Sequence, residues 1–116
     1  MGQPVIHFEI GCRDIANTES FYTKLFGWQT RPAGPGVTID TEGAGGINGH
    51  FTSLGHEPHH YVTIYIQVDD LQAYLSKAER LGGKTLIPPI ELPDGRHFAW
   101  LADPDGNMIG LLTPTG

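Results

Sequence analysis

Apolar and polar residues alternate along Val5-Ile6-His7-Phe8-Glu9-Ile10-Gly11. A strand there puts Ile6, Phe8 and Ile10 on one face and His7 with Glu9 on the other. The same alternation returns as Val62, Ile64, Ile66 and Val68 against Thr63, Tyr65 and Gln67. Both stretches predict half-buried strands. After each, the period changes. Ile15, Tyr22, Leu25 and Phe26 recur at near-helical spacing, as do Leu71, Tyr74, Leu75, Ala78 and Leu81, so each helix carries one apolar stripe for a sheet face. Asp14 and Asp70 stand where a side chain caps the first backbone amides of a helix. Gly27 and Gly82-Gly83 stand where a helix ends in a left-handed turn.

These elements say the same thing twice, at an offset of 56 residues. Ile10, Cys12, Asp14, Ile15, Leu25 and Gly27 align with Ile66, Val68, Asp70, Leu71, Leu81 and Gly83. After each helix come three extended runs: about 28–31, 37–41 and 46–52, then about 84–91, 96–102 and 107–113. Pro32 to Gly36, Glu42 to Gly46, Pro93-Asp94-Gly95 and Pro104-Asp105-Gly106 supply the turns between them. The pattern predicts two βαβββ modules, about 4–52 and 60–113, joined by a linker over 53–59 within one domain, 1–116. Each helix covers one face of a curled mixed sheet. The other face is left concave and polar, which is where function belongs.

Composition narrows the partners. At 116 residues the chain has the size of one domain with a real core, and 39% hydrophobic against 17% charged residues reads as globular. A formal charge of -6 offers no basic footprint, which argues against nucleic acid and anionic membrane as partners. One cysteine, Cys12, excludes an internal disulfide and a thiolate zinc site. With no signal-like start and no apolar run of membrane length, the expected location is cytoplasmic.

Several motifs together carry a family resemblance. They are the strand ending in Asp14 followed by Phe21-Tyr22 and Leu25-Phe26-Gly27-Trp28, then Val68-Asp69-Asp70-Leu71, Leu81-Gly82-Gly83, and Asp103-Pro104-Asp105-Gly106-Asn107. The chain resembles the vicinal oxygen chelate superfamily, the glyoxalase, bleomycin-resistance and dioxygenase-like proteins, over nearly its whole length. The resemblance implies an α+β fold of two βαβββ modules with helices on the outer face. It also implies a homodimer, because modules in similar short members pair between chains as well as within them. Fold alone says little about reaction, since this superfamily isomerises, opens epoxides and cleaves rings.

Metal-dependent members bind a divalent ion on the inner strands, and that ligand set can be tested by position. His7, seven residues before Asp14, matches the family's first histidine. Its counterpart in the second copy is Thr63, which is no substitute for imidazole. The glutamate that the family places about three residues after Gly-Asn has become Gly110, and the first copy offers Asn48 or Gly49 there. One matching ligand is too few for a catalytic metal, so the expected cofactor is none. The alternative is a divalent metal ion in a private site of His7, Glu9 and His50. Residues two apart on a strand stand roughly 6 to 7 Å apart, so such a site needs help from elsewhere.

The concave face then reads as a small-molecule pocket. Its ligand-binding candidates are His7, Glu9, Thr63, Tyr65, Gln67, Arg96, Phe98 and Trp100, with His7 and Glu9 the candidate acid and base. Phe98 and Trp100 share one strand face and His97, Ala99 and Leu101 the other, so the aromatic pair is expected to line the cavity beside Arg96. Core packing is the competing account for Trp100. The histidines of Gly55 to His60 fall in the linker and read as exposed loop. Gly43 to Gly49 precedes no helix and resembles no phosphate loop. Cys12 falls on the helix-facing side of its strand, which disfavours covalent catalysis. The expected function is binding or sequestration of a small apolar or aromatic molecule, as in bleomycin-resistance-like proteins. The alternative is a glyoxalase- or dioxygenase-like lyase or isomerase using His7 and Glu9.

Overall fold

The structure is a computed structural model that describes residues 2–53 and 60–114. Strand, helix and three strands follow one another twice. The first copy is β1 (Val5–Gly11), α1 (Ile15–Phe26), β2 (Gln29–Ala33), β3 (Gly36–Asp40) and β4 (Asn48–Thr52). The second is β5 (Tyr61–Gln67), α2 (Leu71–Arg80), β6 (Lys84–Glu91), β7 (His97–Ala102) and β8 (Met108–Leu112). The expected linker lies outside the described residues except for Ser53.

The chain divides into two compact units, His7–Thr63 and Met1–Ile6 with Ile64–Gly116. Both have an α+β architecture in which a mixed sheet carries one helix. In the His7–Thr63 unit the strand order is β2-β3-β4-β1, with β1 and β4 parallel and the other pairs antiparallel. In the Ile64–Gly116 unit the order β5-β8-β7-β6 repeats that arrangement, with β5 and β8 parallel. Pro88 and Pro89 have no N–H for the ladder, and the β6–β7 register shifts between Ile87 and Ile90.

Each helix starts as its cap predicts. The Asp14 carboxylate accepts from the Asn17 N–H at 3.2 Å, and the Asp70 carboxylate from the Ala73 N–H at 3.1 Å. Gly27 closes α1 at φ 73°, a left-handed conformation that a Cβ would strain. In the first unit Ile10, Cys12, Ile39 and Phe51 form the core, with Phe8, Ile15, Tyr22, Trp28 and Val37 packed against it. In the second, Val68, Leu71, Leu75, Ala99 and Leu111 do so, joined by Ile66, Tyr74 and Leu101. Burying each large side chain of this kind stabilises by about 1.5–3 kcal/mol over leaving it in water.

The predicted stripes are only partly buried. Leu25 and Phe26 are both 57% exposed. The Phe26 ring stacks at the surface on Tyr22 and Trp28, 6.2 and 5.3 Å between centroids. Leu81 is exposed because it follows the last helical residue, at φ -92° and ψ 6°, and so leaves the stripe. Arg96 is not part of a strand. β7 begins at His97, and Asp94 holds Arg96 in the preceding turn through its N–H at 3.0 Å and its Nε at 2.8 Å. Those bonds, the backbone one first, hold the exposed Asp94 carboxyl below its ordinary pKa.

Candidate functional site

The faces of each strand follow from what packs under it. Phe8, Ile10 and Cys12 lie in the core beneath α1, so His7 and Glu9 lie on the opposite face of β1. On β4 the same alternation buries Phe51 and turns His50 outward. The parallel register sets Glu9 against His50 and His7 against Asn48. Thr38 on β3 pairs with His50, and Arg31 on β2 pairs with Thr38. A row of four polar residues, Arg31, Thr38, His50 and Glu9, therefore crosses all four strands of this unit.

A serial hydrogen-bonded network occupies the inner end of that row. His7 Nε2 and His50 Nδ1 are 2.7 Å apart, and His50 Nε2 lies 3.2 Å from Glu9 Oε1. The Tyr61 hydroxyl donates to Glu9 Oε2. Glu9 is only 3% exposed, so its carboxylate is stabilised by these donors rather than by water. The tautomers follow from counting donors. An ionised Glu9 accepts from Tyr61 and from His50 Nε2–H. That leaves His50 Nδ1 to accept from His7 Nε2–H. Tyr61 is pushed well above its ordinary pKa, first by burial and then by the hydrogen bond and charge of Glu9. It therefore stays a donor.

His7 and Glu9 thus come together as expected, through two residues not among the expected pocket residues, His50 and Tyr61. Both were legible in principle. Asn48, His50 and Thr52 alternate with Gly49 and Phe51, and Tyr61 continues the period of Thr63, Tyr65 and Gln67. Both oxygens of Glu9 accept protein hydrogen bonds, and Glu9 positions His50.

The remaining candidates separate into other surroundings. Thr63 is buried at 3% exposure on the same face of β5 as Tyr61. Tyr65 and Trp100 are buried in the second unit, where Trp100 Nε1–H donates to the Tyr65 hydroxyl at 2.8 Å. Phe98 shares the Trp100 face of β7 and is half-buried opposite Leu112. Ala99 and Leu101 pack under α2, in agreement with the expected phase of that strand. The Gln67 N–H donates to the Pro4 carbonyl at 2.9 Å. Arg96 is held by Asp94 in its turn.

The family's metal donors do not fit these positions. Gly110 carries no carboxylate, and a Cβ there would meet the Tyr65 ring at 2.5 Å. Gly49 is turned into the core against Phe8, and the Asn48 amide oxygen accepts from the Thr41 N–H at 3.0 Å. Thr63 offers a hydroxyl, and the two nitrogens of His50 are directed at His7 and Glu9. Among the described residues, no three His, Cys, Asp or Glu side chains are grouped to hold a metal ion.

An open groove of about 520 Å³ lies beside the start of α1, lined among others by Cys12, Arg13, Asp14, Asn17, His60 and Tyr61. It holds little chemistry. Asp14 is spent on the helix cap, and burial raises the Cys12 thiol, against a partial lowering by the Thr18 hydrogen bond and with a smaller rise from the charge of Asp14. The Cys12 thiol points to the Thr52 carbonyl at 3.6 Å, an unreactive setting. The chemistry converges instead on the polar face, where Tyr61 meets Glu9.

A family model described as Glyoxalase/Bleomycin resistance protein/Dioxygenase superfamily matches residues 5–111. A glyoxylase-like domain-containing protein of Didymella fabae is 31% identical over 93% of this chain and 91% of its own length. The anthracycline biosynthesis protein DnrV of Streptomyces peucetius is 28% identical over 90% of this chain and 44% of its own. The chain spans less than half the length of several curated relatives it matches, 41% to 44%. In fold it is similar to the hypothetical protein BH1468 of Bacillus halodurans, with a TM-score of 0.72 at 13% identity, covering 100% of this chain and 97% of that one.

Proposed function

Because the chain belongs to the Glyoxalase/Bleomycin resistance protein/Dioxygenase superfamily, we propose that it binds a small molecule through the His7–His50 pair, with no catalytic metal. The serial network carries this reading. Tyr61 and His50 hold Glu9 between them, and His50 orients His7 on the polar face of the sheet. A binding site needs such orientation together with apolar contact area for the rest of the ligand, here a small apolar or aromatic molecule. The likeness to DnrV, an anthracycline biosynthesis protein, supports a small-molecule role. Pairing into a homodimer belongs to the same proposal and is supported by the exposed Phe21, Leu25 and Phe26 on α1.

The serial order also favours a second reading, proton transfer. A proton taken up by His7 from a substrate is balanced by passing Nε2–H to His50, whose own Nε2–H moves toward Glu9. One experiment separates the two. Imidazole nitrogen resonances of His7 and His50 are followed by NMR while small aromatic compounds are added to protein dialysed against chelator. Shifts at both histidines with the compound recovered unchanged support binding. Turnover abolished by His7→Gln, with the fold intact, supports the enzyme. Near-stoichiometric metal lost together with thermal stability in chelator overturns the metal-free reading.

A further inference from the structure

We draw no further inference here: the strongest candidate, the exposed apolar patch of Phe21, Leu25 and Phe26 on α1, already supports the homodimer of the proposed function, and nothing in the structure shows what covers it.

Discussion

The two units carry the same row of four positions, filled in opposite ways. In the His7–Thr63 unit, Arg31, Thr38, His50 and Glu9 lie side by side across β2, β3, β4 and β1. In the other unit, Ile87, Trp100, Gly110 and Tyr65 lie across β6, β7, β8 and β5. Glu9 and Tyr65 are equivalent by the 56-residue repeat. His50 and Gly110 hold the same place in the strand that runs parallel to each.

The strand orders match, and the residue at that one place sets what its neighbours can do. An imidazole at His50 spans from Glu9 to His7 and keeps the row polar. The missing side chain at Gly110 lets the Tyr65 ring lie over it, where Trp100 Nε1–H meets the Tyr65 hydroxyl. One copy keeps a polar network and the other is filled by an aromatic plug. A repeat of elements therefore does not imply a repeat of chemistry.

Removing the buried anion should break the contrast most sharply. Glu9→Ala strips His50 and Tyr61 of a shared buried partner and is expected to cost about 3 kcal/mol in urea denaturation. Glu9→Gln keeps the volume and should cost less. A cost for Glu9→Ala within the range of a surface substitution, about 0.5 kcal/mol, would show that the network is not a structural unit.

The aromatic row is tested by filling its gap. Gly110→Ala drives a methyl group into the Tyr65 ring and is expected to destabilise by about 2 kcal/mol. Most of that cost should disappear in a Tyr65→Ala background, as a coupling of about 1 kcal/mol or more in the double-mutant cycle. Simple additivity would mean that the ring does not hold Gly110 to glycine.

The smallest effect concerns Tyr61 and alkali. An unfolded tyrosine ionises near 10.0, whereas Tyr61 in the fold keeps its proton well above that. The folded protein then holds more protons than the unfolded chain, so this stabilisation is complete below about pH 10 and declines as pH rises beyond it. Tyr61→Phe should lose about 1 kcal/mol near neutrality and show a shallower alkaline decline of the melting temperature. An identical alkaline slope would remove Tyr61 from the account.

Much of this was legible along the chain. Period-two alternation at 5–11 and 62–68 set the strand faces, and Asp14, Asp70 and Gly27 marked the helix ends through local hydrogen bonding and φ preference. Local signals read less well where a residue had a closer partner than the one its period suggested. Arg96 followed the β7 pattern, yet Asp94, two residues away, captured it in the turn. Leu25 and Phe26 had helical spacing, but Ile15, Tyr22 and Trp28 took the places against the core and left them exposed.

From the sequence alone followed the repeated strand–helix–strand order, the polar face bearing His7 and Glu9, and the missing family ligands at Thr63 and Gly110. These depend on properties of neighbouring residues: side-chain alternation, capping and composition. Only the tertiary structure decided that His50 joins His7 to Glu9, that Tyr61 closes the network 52 residues from its partner, and that Tyr65 fills the space over Gly110. Register between strands far apart in the chain is set by the packing of whole sheet faces, and no local pattern records which imidazole will meet which carboxylate.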